Sequence, residues 1–168
     1  MAIFPRRSPV PTETNYTKYR SAVRDDFVMS CCYCLMPELL AGGSDNFELD
    51  HFRPKSREEF AHLAHDYLNI YYACHICNHA KAAKWPSEAL LAVGYRFLDY
   101  CVEVFSRHFE LESSGLLKPL TTAAEYTLER LRLNRPHLVQ MRLLIGKIVP
   151  LARQSWDSPS QNWLVPML

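Results

Sequence analysis

Two CxxC pairs constrain this chain of 168 residues more than any other feature. Cys31 and Cys34 form the first pair, and Cys74 and Cys77 form the second. Each pair can fold into a tight turn that presents two thiolates to one tetrahedral ion. The repeated spacing predicts a structural Zn²⁺ site held by all four cysteines, and two unrelated pairs of buried cysteines are the alternative. A shared ion would couple both segments to folding.

The composition and the N-terminal sequence indicate the cellular compartment and the general class of the protein. Basic residues near the N-terminus are not followed by an apolar segment, which predicts no secretory signal. No window approaches the roughly 18 apolar residues of a membrane span, so we expect a cytoplasmic protein without membrane contact and with reduced cysteines. Apolar residues make up 48% and charged residues 22%, which is a globular composition. A formal net charge of +1 excludes the strongly basic character of a DNA-binding protein that acts alone.

Turns and apolar patterns divide the chain into three segments, which we expect to form one compact domain. Residues 1–30 form an arm and a short helix, residues 31–86 a metal-clamped core, and residues 87–168 a helical extension with a β-hairpin. Within the core, FELDH and LNIYYAC predict two strands. Thr122 and Glu125 form a capping-box pattern at the start of a helix. The predicted fold class is α+β, mainly helical.

Polar residues with catalytic chemistry lie between and beside the cysteine pairs. Asp50 and His51 end the first strand, Asn69 lies at the start of the second, and Asn78 and Lys81 follow the last cysteine. A carboxylate is a hard ligand suited to Mg²⁺, and an imidazole that is neutral near pH 7 can take a proton from water. Side by side, these groups predict metal-assisted hydrolysis of a phosphodiester.

The order of these residues resembles the HNH endonucleases of the ββα-metal type. The matching pattern is CxxC, LDH, Asn and CxxCNxxK, within about residues 31–85. The resemblance implies a metal-dependent endonuclease that cleaves DNA, and no separate module for reading base sequence is evident. The flanking segments also resemble the PtuB-like subgroup of small bacterial anti-phage nucleases, which work beside an ATPase. An ATPase or another defence protein as partner would supply the nucleic-acid affinity that a nearly neutral chain lacks.

The resemblance assigns a role to each residue of the pattern. His51 is the general base, Asn69 orients it, and Asp50 and Asn78 bind a catalytic divalent ion. Because the third motif position carries Asn instead of His, we expect Mg²⁺ or Mn²⁺ there and Zn²⁺ only at the cysteines. His79, which also follows the second pair, is the rival of Asn78 as a ligand.

Four basic residues near the motif are the expected contacts with the nucleic-acid backbone. Lys81 lies one helical turn beyond the motif asparagine, whereas the other three directly follow the predicted base: Arg53, Lys55 and Arg57. Charges of this kind are also common on solvated surfaces, which is the alternative interpretation.

Two functional alternatives remain beside a DNA-cleaving enzyme. The first is a catalytically silent, zinc-ribbon-like binding module, which would bind zinc tightly but be insensitive to replacement of His51. The second is an RNA-directed nuclease with the same site. Comparison of DNA and RNA substrates would separate the second alternative from a deoxyribonuclease.

Overall fold

The fold is built around the two antiparallel strands that the sequence predicts. The computed structural model describes residues 3–155. Strand β1 spans Phe47–His51 and strand β2 spans Ile70–Cys74. The register pairs Phe47 with Cys74, so the last residue of β1 lies opposite the first residue of β2. The hairpin therefore has a cysteine ligand at one end and the histidine of the motif at the other.

The predicted N-terminal helix is present and packs against β2. It consists of a 3-10 turn at Tyr16–Tyr19 followed by helix α1 at Arg20–Asp26. Asn15 caps the turn by accepting a hydrogen bond from the Thr17 backbone. The inner face buries Val23, whose β-branched side chain contributes to the core beneath the strand.

Part of the basic N-terminal arm is internal. The Arg6 guanidinium lies over the rings of Phe27 and Tyr67 and pairs with Asp26 at 3.4 Å. It also donates hydrogen bonds to the carbonyls of Tyr67 and Ile70, just before and at the start of β2. Stacked guanidinium groups retain their charge and their hydrogen bonds within an aromatic environment, which explains why the side chain of this arginine can be only 11% exposed.

Two helices follow the hairpin directly. Helix α2 spans His75–Lys81 and begins immediately after β2, so the second cysteine pair bridges a strand and a helix. The next residue, Ala82, has a positive φ of 47° and therefore cannot continue the helix. Helix α3 spans Glu88–Ala92 and is capped by the hydroxyl of Ser87, which accepts from the Leu90 backbone.

A hairpin and two helices are the last elements of the described residues, as predicted. Strands β3 (Phe109–Leu111) and β4 (Leu117–Pro119) pair antiparallel, and helices α4 (Thr122–Leu131) and α5 (Pro136–Ser155) follow. The cap of α4 is Thr121, whose hydroxyl accepts from the Ala124 backbone. The predicted capping box was therefore one residue too late, because either of two adjacent threonines can cap and only the backbone conformation selects one.

Buried residues from all three predicted segments form a single hydrophobic cluster that is rich in aromatic rings. The described residues form a mixed α/β fold with two small two-stranded sheets, which confirms the predicted class. The predicted segment boundaries themselves stay predictions. Within residues 3–155, none of the helices has the length and apolar character that a membrane crossing requires.

Candidate nuclease site and metal centre

The four cysteines of the CxxC pairs converge on one point. All four are buried, and their Sγ atoms lie within 4.8 Å of one another. The Sγ atoms of Cys34 and Cys74, one from each pair, are 3.9 Å apart. Thiolates bound tetrahedrally at about 2.3 Å from Zn²⁺ lie about 3.8 Å from each other. The donor set and its spacing therefore fit a structural metal site, as predicted.

Backbone geometry explains how each pair forms a turn. In the first pair, Leu35 adopts a positive φ of 61° and its N–H donates to the Cys31 carbonyl. The adjacent Cys32 donates its N–H to the Tyr72 carbonyl, which ties this turn to β2. The second pair runs from the end of β2 into the first turn of α2. The Cys32 side chain lies outside the four-cysteine group, in agreement with its tight spacing in the sequence.

Arg135, which directly precedes α5, reaches this centre from a distant part of the chain. Its guanidinium donates to the Cys77 Sγ at 3.5 Å. A guanidinium beside thiolates offsets part of the negative charge that four such ligands would carry. The sequence gives no local signal for this contact, since 58 residues separate the two partners.

His51 lies at the end of β1 and is buried. Its Nε2 is 2.9 Å from the Ala64 carbonyl, and the Tyr16 ring packs edge-on at 4.6 Å between centroids. Because a carbonyl can only accept, Nε2 is the protonated nitrogen of the neutral ring, and Nδ1 keeps its lone pair. Burial lowers the pKa of His51, and the ammonium groups of Lys55 and Lys81 lower it further. The ring is thus neutral at pH 7 and chemically able to accept a proton.

Asn69 secures the loop that begins directly after the histidine. Its amide oxygen accepts from the Arg53 backbone N–H at 2.8 Å, and its amide nitrogen donates to the Arg53 carbonyl at 3.0 Å. The Asn69 backbone carbonyl also accepts from Phe52 at 2.9 Å. These contacts hold the chain two residues beyond His51. Any orienting effect on the imidazole is therefore transmitted through the backbone, and the ring itself is positioned by Ala64 and Tyr16.

Asp50 occupies the interior between β1 and α2. Its carboxylate lies 3.0 Å from the Lys81 ammonium and accepts a hydrogen bond from the Tyr33 hydroxyl. Burial raises the pKa of Asp50, whereas Lys81 and Tyr33 act in the opposite direction. Asp50 is only 7% exposed and Lys81 is fully buried. A divalent ion could replace this ammonium only if α2 moved or the lysine withdrew.

Asn78 has different partners from Asp50. The Asn78 side-chain amide donates to the carboxylate of Glu48, which lies two residues before Asp50 on β1. The Glu48 carboxylate also lies 2.8 Å from the His75 Nδ1. Asp50 and Asn78, which the sequence predicts to bind one ion together, therefore contact different side chains in the structure. Their ligand roles stay predictions, as does the rival role of His79, which lies beside Glu48 and His75. Glu48 was missed, because only the pairing of strand and helix brings it here.

The four predicted nucleic-acid contacts have different surroundings. Arg53 and Lys55 are exposed, and Lys55 lies 4.2 Å from the centroid of the Tyr16 ring. Arg57 is partly exposed and pairs with Glu59 at 3.2 Å. The Lys81 ammonium instead donates to the His51 carbonyl at 2.7 Å and presents no exposed atom to a phosphate. The structure therefore corrects the interpretation of Lys81 as a surface charge: it is an internal ion-pair partner.

A β-hairpin clamped by a four-cysteine centre and followed by a helix, with a neutral imidazole at the hairpin's open end, is the arrangement of a ββα nuclease module. Residues 31–84 match the family model of HNH endonucleases. This segment is therefore an HNH endonuclease domain, which confirms the resemblance and indicates a nuclease of that family. No curated protein matches the chain.

Proposed function

We propose that the protein is a metal-dependent HNH endonuclease that hydrolyses DNA phosphodiester bonds without sequence specificity. The observation that carries this proposal is His51, neutral, buried and held at Nε2 by the Ala64 carbonyl. In that tautomer Nδ1 is the atom that accepts the proton of an attacking water. The family match over residues 31–84 supports the reaction class.

The chain's own residues divide the work of binding and proton transfer. His51 removes a proton from water, and Asn69 holds the loop that follows it by pairing with the Arg53 backbone. The exposed cations Arg53 and Lys55, with Arg57, contact the phosphate backbone beside the base. Such contacts position a substrate but carry no sequence information, which agrees with nonspecific cleavage.

Two kinds of metal belong to the proposal. The cysteine centre holds Zn²⁺, and this assignment is supported by four buried thiols, with the Sγ atoms of Cys34 and Cys74 3.9 Å apart. Mg²⁺ or Mn²⁺ is the proposed catalytic ion, and Asp50 and Asn78 could bind it together only after the Asp50 carboxylate had left its present partners. As folded, Asp50 does not fit that role, because Lys81 and Tyr33 occupy its carboxylate. When bound, such an ion would act as a Lewis acid on the phosphoryl group.

Cleavage of supercoiled plasmid tests the proposal directly. Wild-type protein is incubated with Mg²⁺ or Mn²⁺ beside His51→Ala and, as a matched control, His62→Ala, which removes an exposed imidazole from the same loop. We expect metal-dependent nicking or linearisation by the wild type and the control, and a loss of at least about a hundredfold in His51→Ala. Equal cleavage by His51→Ala would exclude it as the base.

One observation favours a second candidate, the catalytically silent binding module. The Asp50–Lys81 pair occupies the carboxylate that would otherwise bind the ion. A silent module predicts no cleavage of any substrate by any variant, with zinc content unchanged. An RNA-directed nuclease would instead show His51-dependent cleavage of RNA in a side-by-side substrate panel. Both outcomes can be read in the same experiment.

The biological setting we propose is anti-phage defence in the cytoplasm together with a partner protein such as an ATPase. The defence role rests on the resemblance of the flanking segments to the PtuB-like subgroup. The partner is supported by the net charge of +1, since affinity for DNA depends on neutralising phosphates. Phage plating on cells that carry the wild-type or the His51→Ala chain, each with and without the neighbouring genes, tests this setting. Protection that needs both His51 and a neighbouring gene is the expected result.

A further inference from the structure

A second cluster of metal-binding side chains lies on the surface beside the cysteine centre. The carboxylate of Glu48 and the imidazoles of His75 and His79 have ligand atoms within 4.8 Å of one another. The Glu48 carboxylate is 2.8 Å from the His75 Nδ1, and the two imidazole rings are 4.1 Å apart between centroids. The Glu48 and His75 side chains are 38% and 56% exposed.

Secondary structure explains the convergence of these three residues. His75 and His79 are four residues apart on α2, so they project from the same face of the helix. Glu48 pairs with Ala73 in the sheet, and β2 passes directly into α2 two residues later. The strand register thus places a carboxylate beneath the first helical turn, beside both imidazoles.

We propose that Glu48, His75 and His79 form a second metal site, which takes a divalent transition ion such as Zn²⁺ or Ni²⁺. Two imidazoles at i and i+4 with one carboxylate are a donor set that such ions bind with open positions left for water. Ligands held tetrahedrally at about 2.0 Å lie about 3.3 Å apart, so rotation of the exposed rings brings the donors to that spacing. Nitrogen ligands select against Mg²⁺, which prefers oxygen.

The site is separate from the predicted general base. Glu48 and His51 are three residues apart on β1, so their side chains leave opposite faces of the strand with about 10 Å between the Cα atoms. An ion at Glu48 is therefore not the one that would share a water molecule with His51. The inference stands whether or not the chain cleaves nucleic acid.

Solvent access and charge set the expected affinity. His75 and His79 line an open groove of about 480 Å³, so an ion can reach them without disturbing the core. Cationic side chains form other walls of this groove: Lys84, Arg130, Arg132 and Arg135. Their positive charge opposes a divalent cation. We therefore expect weaker binding here than at four buried thiolates.

Metal analysis of the full chain tests the proposal. The protein is prepared with one equivalent of Zn²⁺, and Ni²⁺ uptake is measured by equilibrium dialysis with both metals quantified in the same samples. The wild type should bind one Ni²⁺ per chain while retaining its zinc. His79→Ala removes an exposed ligand and should weaken Ni²⁺ binding at least about tenfold with zinc unchanged. His62→Ala, which removes an exposed imidazole elsewhere, should bind Ni²⁺ like the wild type.

Glu48→Gln provides a second variant with the strand and helix intact. Glutamine keeps a side chain that can accept from Asn78 but loses the anionic ligand, so Ni²⁺ affinity should fall while zinc is retained. Excess Mg²⁺ should not displace Ni²⁺ from the wild type. The proposal is overturned if the wild type binds no Ni²⁺ beyond its zinc, or if His79→Ala and Glu48→Gln bind Ni²⁺ with wild-type affinity.

Discussion

Glu48 and Asp50 are two carboxylates on the same face of β1, yet their surroundings differ completely. Asp50 is 7% exposed and contacts the buried Lys81 ammonium and the Tyr33 hydroxyl. The Glu48 side chain is 38% exposed and faces His75 and Asn78 at the surface. One strand–helix interface thus has a dry end and a wet end, about 7 Å apart along the strand.

The difference shows what determines whether a carboxylate can bind an ion. At the dry end, the charge of Asp50 is compensated by an ammonium fixed in the core, and releasing it would leave Lys81 buried without a partner. At the wet end, Glu48 is compensated by solvent and lies beside His75 and His79, whose imidazoles are of a type that binds metal ions. Position in the sequence motif alone predicts Asp50 as the metal ligand, whereas solvent accessibility favours Glu48.

Both ends depend on α2 starting at the cysteine centre, and Cys74→Ser should break both at once. Loss of one thiolate should release zinc and abolish the cooperative unfolding transition, since binding free energies of about 10–16 kcal/mol for structural zinc are coupled to folding. Metal content and thermal unfolding followed by circular dichroism measure this. Cys101→Ser, which alters a partly exposed cysteine outside the centre, is the control. Retained zinc and a normal melting curve in Cys74→Ser would show that the centre does not hold the core.

Lys81→Met should have the next largest effect and should act at the dry end alone. Removing the ammonium leaves the Asp50 carboxylate buried without its cation, which costs about 3–5 kcal/mol of unfolding free energy. Urea denaturation of the zinc-loaded protein measures it. Lys84→Met, which changes an exposed lysine three residues beyond the end of α2, should stay within about 0.5 kcal/mol of the wild type.

A double variant separates lost pairing from lost packing at this position. In Lys81→Met/Asp50→Asn the buried charge disappears together with its partner, so most of the stability lost in Lys81→Met should return. If the double variant is as unstable as the sum of both single variants, the lysine contributes through packing and the ion pair is unimportant.

The four-cysteine centre could be predicted from the sequence because its signal is local. Each CxxC spacing places two thiols in one turn, and the strands between the pairs show their own alternating pattern. The position of His51 at the end of a strand followed from the same pattern. Its carbonyl and ring partners, Ala64 and Tyr16, are distant along the chain and carried no signal.

The burial of Lys81 could not be predicted, for a physical reason. A lysine on a short helix is usually solvated, and only the tertiary structure encloses this one between β1 and the later residue Phe97, whose ring centroid is 6.0 Å from the ammonium. The Glu48 cluster was hidden in the same way, because it depends on which residue of β1 pairs with Ala73. The sequence therefore predicted the helices and strands better than the contacts between them.

Glu38 is a third carboxylate, and its contribution to the free energy of unfolding should depend on pH. Burial alone raises the pKa of Glu38, but hydrogen bonds from Arg24 and Tyr72 lower it below the ordinary value of 4.5. A carboxyl with a depressed folded pKa contributes stability above its unfolded pKa and loses it as pH falls through the folded value. Glu38→Gln should therefore cost about 1.5–3 kcal/mol at pH 7, and the gap from wild type should narrow as the pH is lowered below about 4.5.

Urea denaturation of both proteins at several pH values gives this comparison. Acid also protonates the thiols and weakens zinc binding in both chains, so the difference between them isolates Glu38. Glu59→Gln, at an exposed carboxylate, should show a small and nearly constant difference. A gap for Glu38→Gln that stays constant from pH 7 to below pH 4 would contradict the depressed pKa.

Glu48→Gln should have the smallest effect on stability and the clearest dependence on metal. Its side chain is more than a third exposed, so with only the cysteine centre loaded the substitution should cost less than about 1 kcal/mol. Excess Ni²⁺ should raise the melting temperature of the wild type, because a ligand that binds only the folded chain stabilises it. Glu48→Gln should lose most of that increase. An equal increase in both proteins would place the added ion elsewhere, and a large metal-independent loss of stability would mean that Glu48 is as much a part of the interior as Asp50.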